Sequence, residues 1–150
     1  MLTCGIDIGA RTIDIALFDS AQILESCVID TGAFPKKNAM GAFENILRMA
    51  GVTRSDVDRT IATGYGRNYF EEADRAATEI LCHAKGVAYL IPSVRTIIDT
   101  GGVARNEGVL QALKQEIGND NITVPLEPQI TGALGAAIIA MEDLHRERIK

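Results

Sequence analysis

The 150-residue chain is predicted to fold as a mixed α/β sheet, with an antiparallel three-strand meander and helices on both faces. Apolar residues alternate with a period of two over roughly the first thirty residues, which is typical of strands. From Pro35 onwards they recur about every 3.6 residues, which is typical of helices. Helical and strand-like segments then alternate to the end of the chain, so the helices are expected to cover a sheet.

The meander is predicted from three strand-like segments joined by short turns, at residues 3–9, 13–18 and 23–30. The turns are marked by Gly9-Ala10-Arg11 and by Asp19-Ser20. Alternation places these residues on one apolar face: Cys4, Ile6, Ile8, Ile13, Ile15 and Leu17. Consecutive strands with short connections pair as antiparallel neighbours.

The rest of the chain is predicted to alternate between helix and strand. A helix begins at Pro35 and ends before Gly51, and a later helix is closed by Gly118. The remaining predictions are strands at 59–63, 94–99 and 122–125, and helices at about 69–90, 109–117 and 131–146. The resulting order, β-β-β-α-β-α-β-α-β-α, is the ribonuclease H-like layout.

Composition limits the class of protein. The formal net charge of −5 argues against generic binding to nucleic acid or membrane surfaces, because both need clustered Lys and Arg. The longest apolar stretch, residues 133–141, is far shorter than the ~20 residues of a membrane span. Three cysteines without a CxxC spacing indicate neither a disulfide framework nor a zinc finger. With no signal peptide evident, a cytoplasmic location is expected.

Two predicted strands end in an Asp that is followed by glycine. Asp7 lies in Gly5-Ile6-Asp7-Ile8-Gly9, and Asp99 precedes Thr100-Gly101-Gly102. Glycine lets backbone N–H groups approach a phosphate, and a carboxylate can hold Mg²⁺ or orient a water molecule. The pair therefore predicts a metal–phosphate site. The plain alternative is a β-hairpin and a strand-to-helix turn in which the glycines serve only the backbone.

Two further segments were considered as sites. The loop Ala62-Thr63-Gly64-Tyr65-Gly66-Arg67-Asn68 follows a strand and is expected to contact a ligand or a partner, unless it is an ordinary surface loop. Cys82 and His83 are interpreted as a packed core pair, because one Cys and one His cannot complete a tetrahedral metal site.

These motifs resemble the ATPase activators of 2-hydroxyacyl-CoA dehydratases and the related ATPase subunits of benzoyl-CoA reductase. That family belongs to the acetate kinase, sugar kinase, heat-shock chaperone and actin superfamily. The resemblance rests on residues 5–12, on ATGYGRN at 62–68, on EILCHAKG at 79–86, on GGVARN at 101–106 and on TGALGAA at 131–137. It implies ATP and Mg²⁺ as ligands, a homodimer, and a dehydratase- or reductase-like partner protein.

The resemblance also implies residue roles. Asp7 and Asp99 would hold Mg²⁺ and water. The first phosphate loop would use Gly9, Ala10, Arg11 and Thr12. Gly101 and Gly102 would hold phosphate, and Gly102, Val103 and Ala104 would lie near adenosine. Ala10 stands where a Ser or Thr is common in the family, so one hydroxyl is missing.

The chain is shorter than this family. The second phosphate loop and the adenosine motif, which are far apart in the family, run together at residues 98–106. Residues 1–97 are thus interpreted as the first lobe, and 98–150 as the fused end of the second lobe. No iron–sulfur cluster is expected, because the family's ligand segment is missing. The alternatives are a non-enzymatic scaffold or regulatory module and, less favoured, a metal-dependent nuclease resembling Holliday-junction resolvases.

Overall fold

The computed structural model describes residues 1–98 and 101–149, and a five-stranded sheet organises them. The strands are β1 (Leu2–Ile8), β2 (Thr12–Asp19), β3 (Gln22–Asp30), β4 (Arg59–Thr63) and β5 (Arg75–Ala76). Their order across the sheet is β3-β2-β1-β4-β5. The first three form the predicted antiparallel meander, whereas β4 pairs parallel to β1 and β5 parallel to β4.

Four α-helices accompany the sheet, and local sequence signals set their ends. They are α1 (Pro35–Met49), α2 (Glu79–Leu90), α3 (Glu107–Ile117) and α4 (Thr131–Ile149). Pro35 occupies the first turn of α1, where its missing N–H costs no hydrogen bond. Asn106 caps α3 by accepting from the Val109 N–H at 3.2 Å, and Gly118 ends α3 with a φ of 66°.

The face of the sheet that carries the even-numbered residues of β1 packs against α1. Ile6, Ile15 and Leu17 are fully buried there, together with Phe43 and Ile46 of the helix. Phe43 also meets Phe70 edge to face, with ring centroids 5.4 Å apart. The predicted apolar face of the meander is thus confirmed as the larger part of the core.

The opposite face packs against α4, and glycines let the backbones come close together. A Cβ on Gly5 of β1 would lie 2.5 Å from the Ala137 N of α4 and would overlap the Ala133 carbonyl. A Cβ on Gly135 would lie 2.5 Å from the backbone carbon of Cys82, so α2 packs against α4 equally closely. The TGALGAA segment is therefore a helix surface small enough to touch a strand and another helix at once.

The predicted helix over residues 69–90 is wrong in its first part, since α2 begins only at Glu79. The Thr60 N–H donates to Asp74 Oδ2 at 2.7 Å, and the Asp74 N–H donates to the Thr60 carbonyl at 2.8 Å. These bonds draw the chain to the edge of the sheet, where Arg75–Ala76 forms β5. Tertiary pairing thus overrides the acidic residues that resembled a helix start.

The strands predicted at 94–99 and 122–125 are also absent from the described residues, where 94–98 and 122–125 have no regular structure. In the sheet β1 has β2 and β4 as its two neighbours, so residues 94–98 do not pair with the strand that carries Asp7. Asp99 itself lies outside the described residues. Both segments instead line a cavity of about 470 Å³ together with α3.

Within residues 1–98 and 101–149, no helix has both the length and the apolar character that crossing a membrane requires.

Candidate functional site

Asp7 lies at the end of β1 in a narrow slot between two glycines. A Cβ on Gly64, after β4, would overlap Asp7 Oδ1, and a Cβ on Gly132, in the first turn of α4, would overlap Oδ2. The Asp7 side chain is about 8% exposed. We call this place, formed by Asp7, Gly64 and Gly132, the Asp7 slot. Because a helix N-terminus carries partial positive charge, the start of α4 favours a carboxylate there.

The loop at residues 62–68 forms one wall of the Asp7 slot. Gly64 has a φ of 81°, which a glycine adopts without strain. The Gly66 N–H donates to the Ile8 carbonyl at 2.8 Å, and Arg67 Nη1 donates to the Gly64 carbonyl at 2.9 Å. Tyr65 between them is 78% exposed. The glycines of this motif therefore serve close packing beside Asp7, and its Tyr faces solvent.

The loop at Gly9–Thr12 is held from α1 and from the end of β3. Thr31 donates its hydroxyl to the Gly9 carbonyl at 2.8 Å, and its N–H donates to the Arg11 carbonyl at 2.9 Å. Asn38 of α1 donates to the Thr31 carbonyl at 2.9 Å. The Gly9 N–H itself donates to the Thr12 carbonyl at 2.9 Å. Ala10 and Arg11 are exposed at the tip of the loop.

A second buried carboxylate lies directly across from Asp7. Asp14 of β2 is the registered partner of Asp7, so their Cβ atoms are roughly 5 Å apart on the same face of the sheet. Thr12 donates to Asp14 Oδ2 at 3.0 Å, while Oδ1 is buried without a hydrogen-bond partner among the described residues. Burial raises the pKa of Asp14 from 3.8 to about 6, and the bond from Thr12 opposes that shift.

His83 and Thr131 lie behind the Asp7 slot. His83 Nε2 is 3.5 Å from Asp7 Oδ2 and 4.0 Å from Glu79 Oε1. Its Nδ1 is 2.8 Å from Thr131 Oγ1, and Thr131 Oγ1 donates to the Pro128 carbonyl at 2.7 Å. His83 is buried as expected, yet its contacts are polar and reach the site.

The three cysteine thiols are not in a form that favours reactivity. Cys4 and Cys82 are buried and Cys27 is partly buried, and all three are free. Burial raises the pKa of each thiol, which disfavours a reactive thiolate. At Cys82 a hydrogen bond with Thr63 opposes the shift, and the Asp7 charge adds to it.

The second predicted phosphate segment is described only in part. Residues Gly101–Arg105 form a short 3₁₀ helix whose Cα atoms come within 8 Å of the 3₁₀ turn Pro128–Ile130, just before α4. Val103 and Ala104 line the cavity near α3 rather than the Asp7 slot. Asp99 lies outside the described residues, so its predicted convergence with Asp7 stays a prediction.

The residues at the Asp7 slot suit Mg²⁺, which prefers carboxylate oxygens and fills its other positions with water and phosphate. The buried Asp14 Oδ1 without a partner, next to Asp7, is the observation that fits an oxygen-bound cation. The described residues contain no group of three His, Cys, Asp or Glu side chains that could hold a metal by themselves. A cation there would thus depend on ligand or water oxygens as well.

The family model described as the BadF/BadG/BcrA/BcrD ATPase family matches residues 4–103, which include the Asp7 slot's strand and the loop at 62–68. The chain belongs to this ATPase family. The Activator of lactoyl-CoA dehydratase from Anaerotignum propionicum is 40% identical over 103 residues. The (R)-2-hydroxyglutaryl-CoA dehydratase activating ATPase from Acidaminococcus fermentans is 37% identical over 102 residues.

These matches cover 68% and 67% of this family member but only 39% of each relative. The chain thus spans about two fifths of the length of the curated relatives it matches. Similarity of fold covers more of the chain than these sequence matches do. The activator of the 2-hydroxyisocaproyl-CoA dehydratase from Clostridium difficile, solved with bound ADPNP, superposes with a TM-score of 0.82 at 20% identity. That superposition covers 99% of this chain and 97% of the solved one.

Four residues of this site were not selected from the sequence: Asp14, Thr31, His83 and Thr131. Asp14 could have been placed opposite Asp7 from the sequence, because the length of the turn between two hairpin strands fixes which residues pair. No local signal joins His83 to Thr131, which are 48 positions apart. The loop at Gly9–Thr12 and the loop at 62–68 both lie next to β1, which carries Asp7.

Proposed function

We propose that this protein binds Mg-ATP at the Asp7 slot and hydrolyses it as a shortened member of the activator family. The observation that carries the proposal is the Asp7 slot, where Gly64 and Gly132 approach the carboxylate so closely that a Cβ on either one would overlap it. Family membership supports ATP as the ligand, and the bound ADPNP of the solved relative supports the same class of nucleotide.

The proposed role of each residue follows from its place in the site. The exposed tip of the first loop, Ala10 and Arg11, would meet the phosphates through backbone N–H groups. The Gly9 N–H is engaged with Thr12, so Gly9 contributes the turn rather than a bond to phosphate. Asp7 would hold the cation through water or orient the attacking water, and Asp14 is the nearest further carboxylate.

Mg²⁺, when bound, would neutralise phosphate charge and polarise the reacting phosphoryl group. The chain's own part is to present Asp7 in one orientation. Asp99, Gly101 and Gly102 are proposed as the second phosphate segment, with Val103 and Ala104 near adenosine. That residues 98–150 are the fused end of a second lobe is likewise a proposal. It is supported by the resemblance of GGVARN at 101–106 and TGALGAA at 131–137 to the family's segments.

Partners are proposed from the relatives. Their names describe activators of CoA-thioester dehydratases, so a dehydratase- or reductase-like protein in the cytoplasm is the proposed partner, with a homodimer as the assembly. An iron–sulfur cluster is not proposed, because the resemblance to the family implies that its ligand segment is missing from this chain. Iron analysis of anaerobically purified protein tests this, and stoichiometric iron would contradict it.

The experiment for nucleotide binding is calorimetric titration of Mg-ATP into the wild type and Asp7→Asn. We expect a saturable heat in the wild type that Asp7→Asn weakens by at least roughly tenfold, because the cation loses a charged ligand. The matched control is Asp58→Asn, since Asp58 Oδ2 accepts from the Leu2 N–H at the other end of β1. Absence of any heat with the folded wild type would refute the proposal.

A second candidate is a module that binds a partner without hydrolysing ATP. It is favoured because the matched part of the chain spans only about two fifths of each curated relative. Phosphate release separates the two candidates. Turnover that Asp7→Asn abolishes supports the ATPase, whereas ATP binding without turnover supports the module.

A further inference from the structure

Behind the Asp7 slot, polar contacts run from the buried carboxylate to the backbone. They link Asp7 to His83, His83 to Thr131, and Thr131 to the Pro128 carbonyl, over 3.5, 2.8 and 2.7 Å. The side chains of His83 and Asp7 are 9% and 8% exposed. Asp7 is on β1, His83 on α2 and Thr131 at the start of α4, so three separate elements meet here.

Hydrogen-bond accounting sets the direction of the middle contact. The Pro128 carbonyl can only accept, so the single hydroxyl proton of Thr131 is directed to it. Thr131 Oγ1 must then accept from His83 Nδ1. The imidazole is thereby held by its Nδ1–H, and its other edge, with Nε2, is turned to Asp7 Oδ2.

The backbone leaves this arrangement little freedom. A Cβ on Gly86 of α2 would overlap the Thr131 carbonyl, so the helix carrying His83 lies directly against the start of α4. A Cβ on Gly132 would lie 3.0 Å from His83 Nε2 while overlapping Asp7 Oδ2. His83 Nε2 and Asp7 Oδ2 therefore lie side by side against Gly132, where no side chain separates them.

We infer that His83, oriented by Thr131, is a positioning residue that fixes the rotation of the Asp7 carboxylate for the magnesium-dependent part of nucleotide binding. This inference rests on the proposed function. It assigns His83 no contact with ATP. The physical argument is that a carboxylate free to rotate must be ordered again when a cation binds. Outer partners of this kind typically change metal affinity by roughly 10- to 100-fold.

The test compares the dissociation constant for ATP with Mg²⁺ and with EDTA, and their ratio is the magnesium-dependent gain. In His83→Ala and Thr131→Val we expect this gain to fall by roughly 10- to 100-fold, while binding in EDTA stays unchanged. Thr131→Ser keeps the accepting oxygen and should restore the gain. Ile139→Ala is the matched control, because Ile139 is buried between α2 and α4 away from Asp7.

Each outcome decides something different. A wild type that binds no ATP refutes the proposed function and this inference with it. A wild type that binds, together with an unchanged gain in His83→Ala, refutes the positioning role alone. An equal loss of the gain in Ile139→Ala would also refute that role, since it would trace the effect to general destabilisation.

A second measurement needs no ligand. The chain has two histidines, and His145 is exposed, so His145→Gln leaves His83 as the single imidazole in a nitrogen NMR spectrum. We expect a proton on Nδ1 of His83 that Thr131→Ser preserves and Thr131→Val disturbs. A His83 without a proton on Nδ1 in the folded wild type would overturn the inferred positioning by Thr131.

Discussion

Helices α4 and α3 both carry apolar residues, but they differ in how closely the rest of the chain packs against them. Around α4, small residues bring the backbone of the helix against β1 and α2, and Leu134 is fully buried. Around α3, no residue of the helix is fully buried, and Ile117 is 48% exposed beside the cavity of about 470 Å³. Helix α3, which has the more regular apolar stripe, is thus the more exposed of the two, whereas α4, whose buried residues run almost continuously from 131 to 141, forms the packed core.

The same contrast holds for short segments with a strand-like pattern of apolar residues. The segments 94–98 and 122–125 have apolar residues with strand-like spacing, but neither pairs with a strand among residues 1–98 and 101–149. In β4, a similar short pattern lies between β1 and β5 and is fully paired. A short apolar segment therefore becomes a strand only where a neighbouring strand is available, because the backbone hydrogen bonds of a strand are made to other strands.

The largest effect is expected where α4 meets β1. In Gly5→Ala the new Cβ would meet backbone atoms of Ala133 and Ala137, which cannot turn aside as a flexible side chain does. We expect the free energy of unfolding in chemical denaturation to fall by about 4 kcal/mol, at the upper end for overpacked cores.

Gly41→Ala in α1 is the control, because nothing lies within 4 Å of its Cβ position. It should leave stability unchanged or raise it by about 0.5–1 kcal/mol, as glycine costs entropy within a helix. A Gly5→Ala variant as stable as the wild type would mean that α4 does not pack closely on β1.

The next effect compares the two helices directly. Leu134→Ala removes a fully buried side chain of α4 and should lower the free energy of unfolding by about 3 kcal/mol. Ile117→Ala removes a half-exposed side chain of α3 and should lower it by less than about 1 kcal/mol. Equal losses in the two variants would show that the region around α3 has a core of its own.

A further effect, of up to about 3 kcal/mol, is expected from the charge of Asp14 and depends on pH. Burial raises the pKa of this carboxyl in the folded protein from 3.8 to about 6. The folded state thus binds more protons than the unfolded state in that interval, and stability falls as the pH rises through it. Above pH 6 the charged Asp14 costs stability, whereas below 4 it does not.

Asp14→Asn removes this pH dependence and keeps an oxygen that accepts from Thr12. Denaturation curves from pH 4 to 8 should show the variant more stable than the wild type at pH 7 and similar at pH 4. Asp30→Asn, at the end of β3, serves as a surface control. A constant difference at all pH values would contradict the buried-charge account.

Much of the fold could be predicted because its signals are local. The meander, β4, α1, α3 and most of α4 follow from alternation, from Pro35 and from Gly118, each of which acts within a few residues. The start of α2 could not be predicted, because Asp74 is held by Thr60 of another strand. At the site, Asp7 was selected from its own strand and loop, whereas His83 and Thr131 needed the packing of two helices.

The sequence by itself determined the meander, β4, three of the four helices, the family and the aspartate at the end of β1. These depend on residues a few positions apart, whose conformational preferences are intrinsic. Only the tertiary structure decided that Gly64 and Gly132 close around Asp7, that Asp14 faces it, and that His83 stands behind it. Those relations join residues far apart in the chain, and they exist only once backbones pack closely enough to exclude a Cβ.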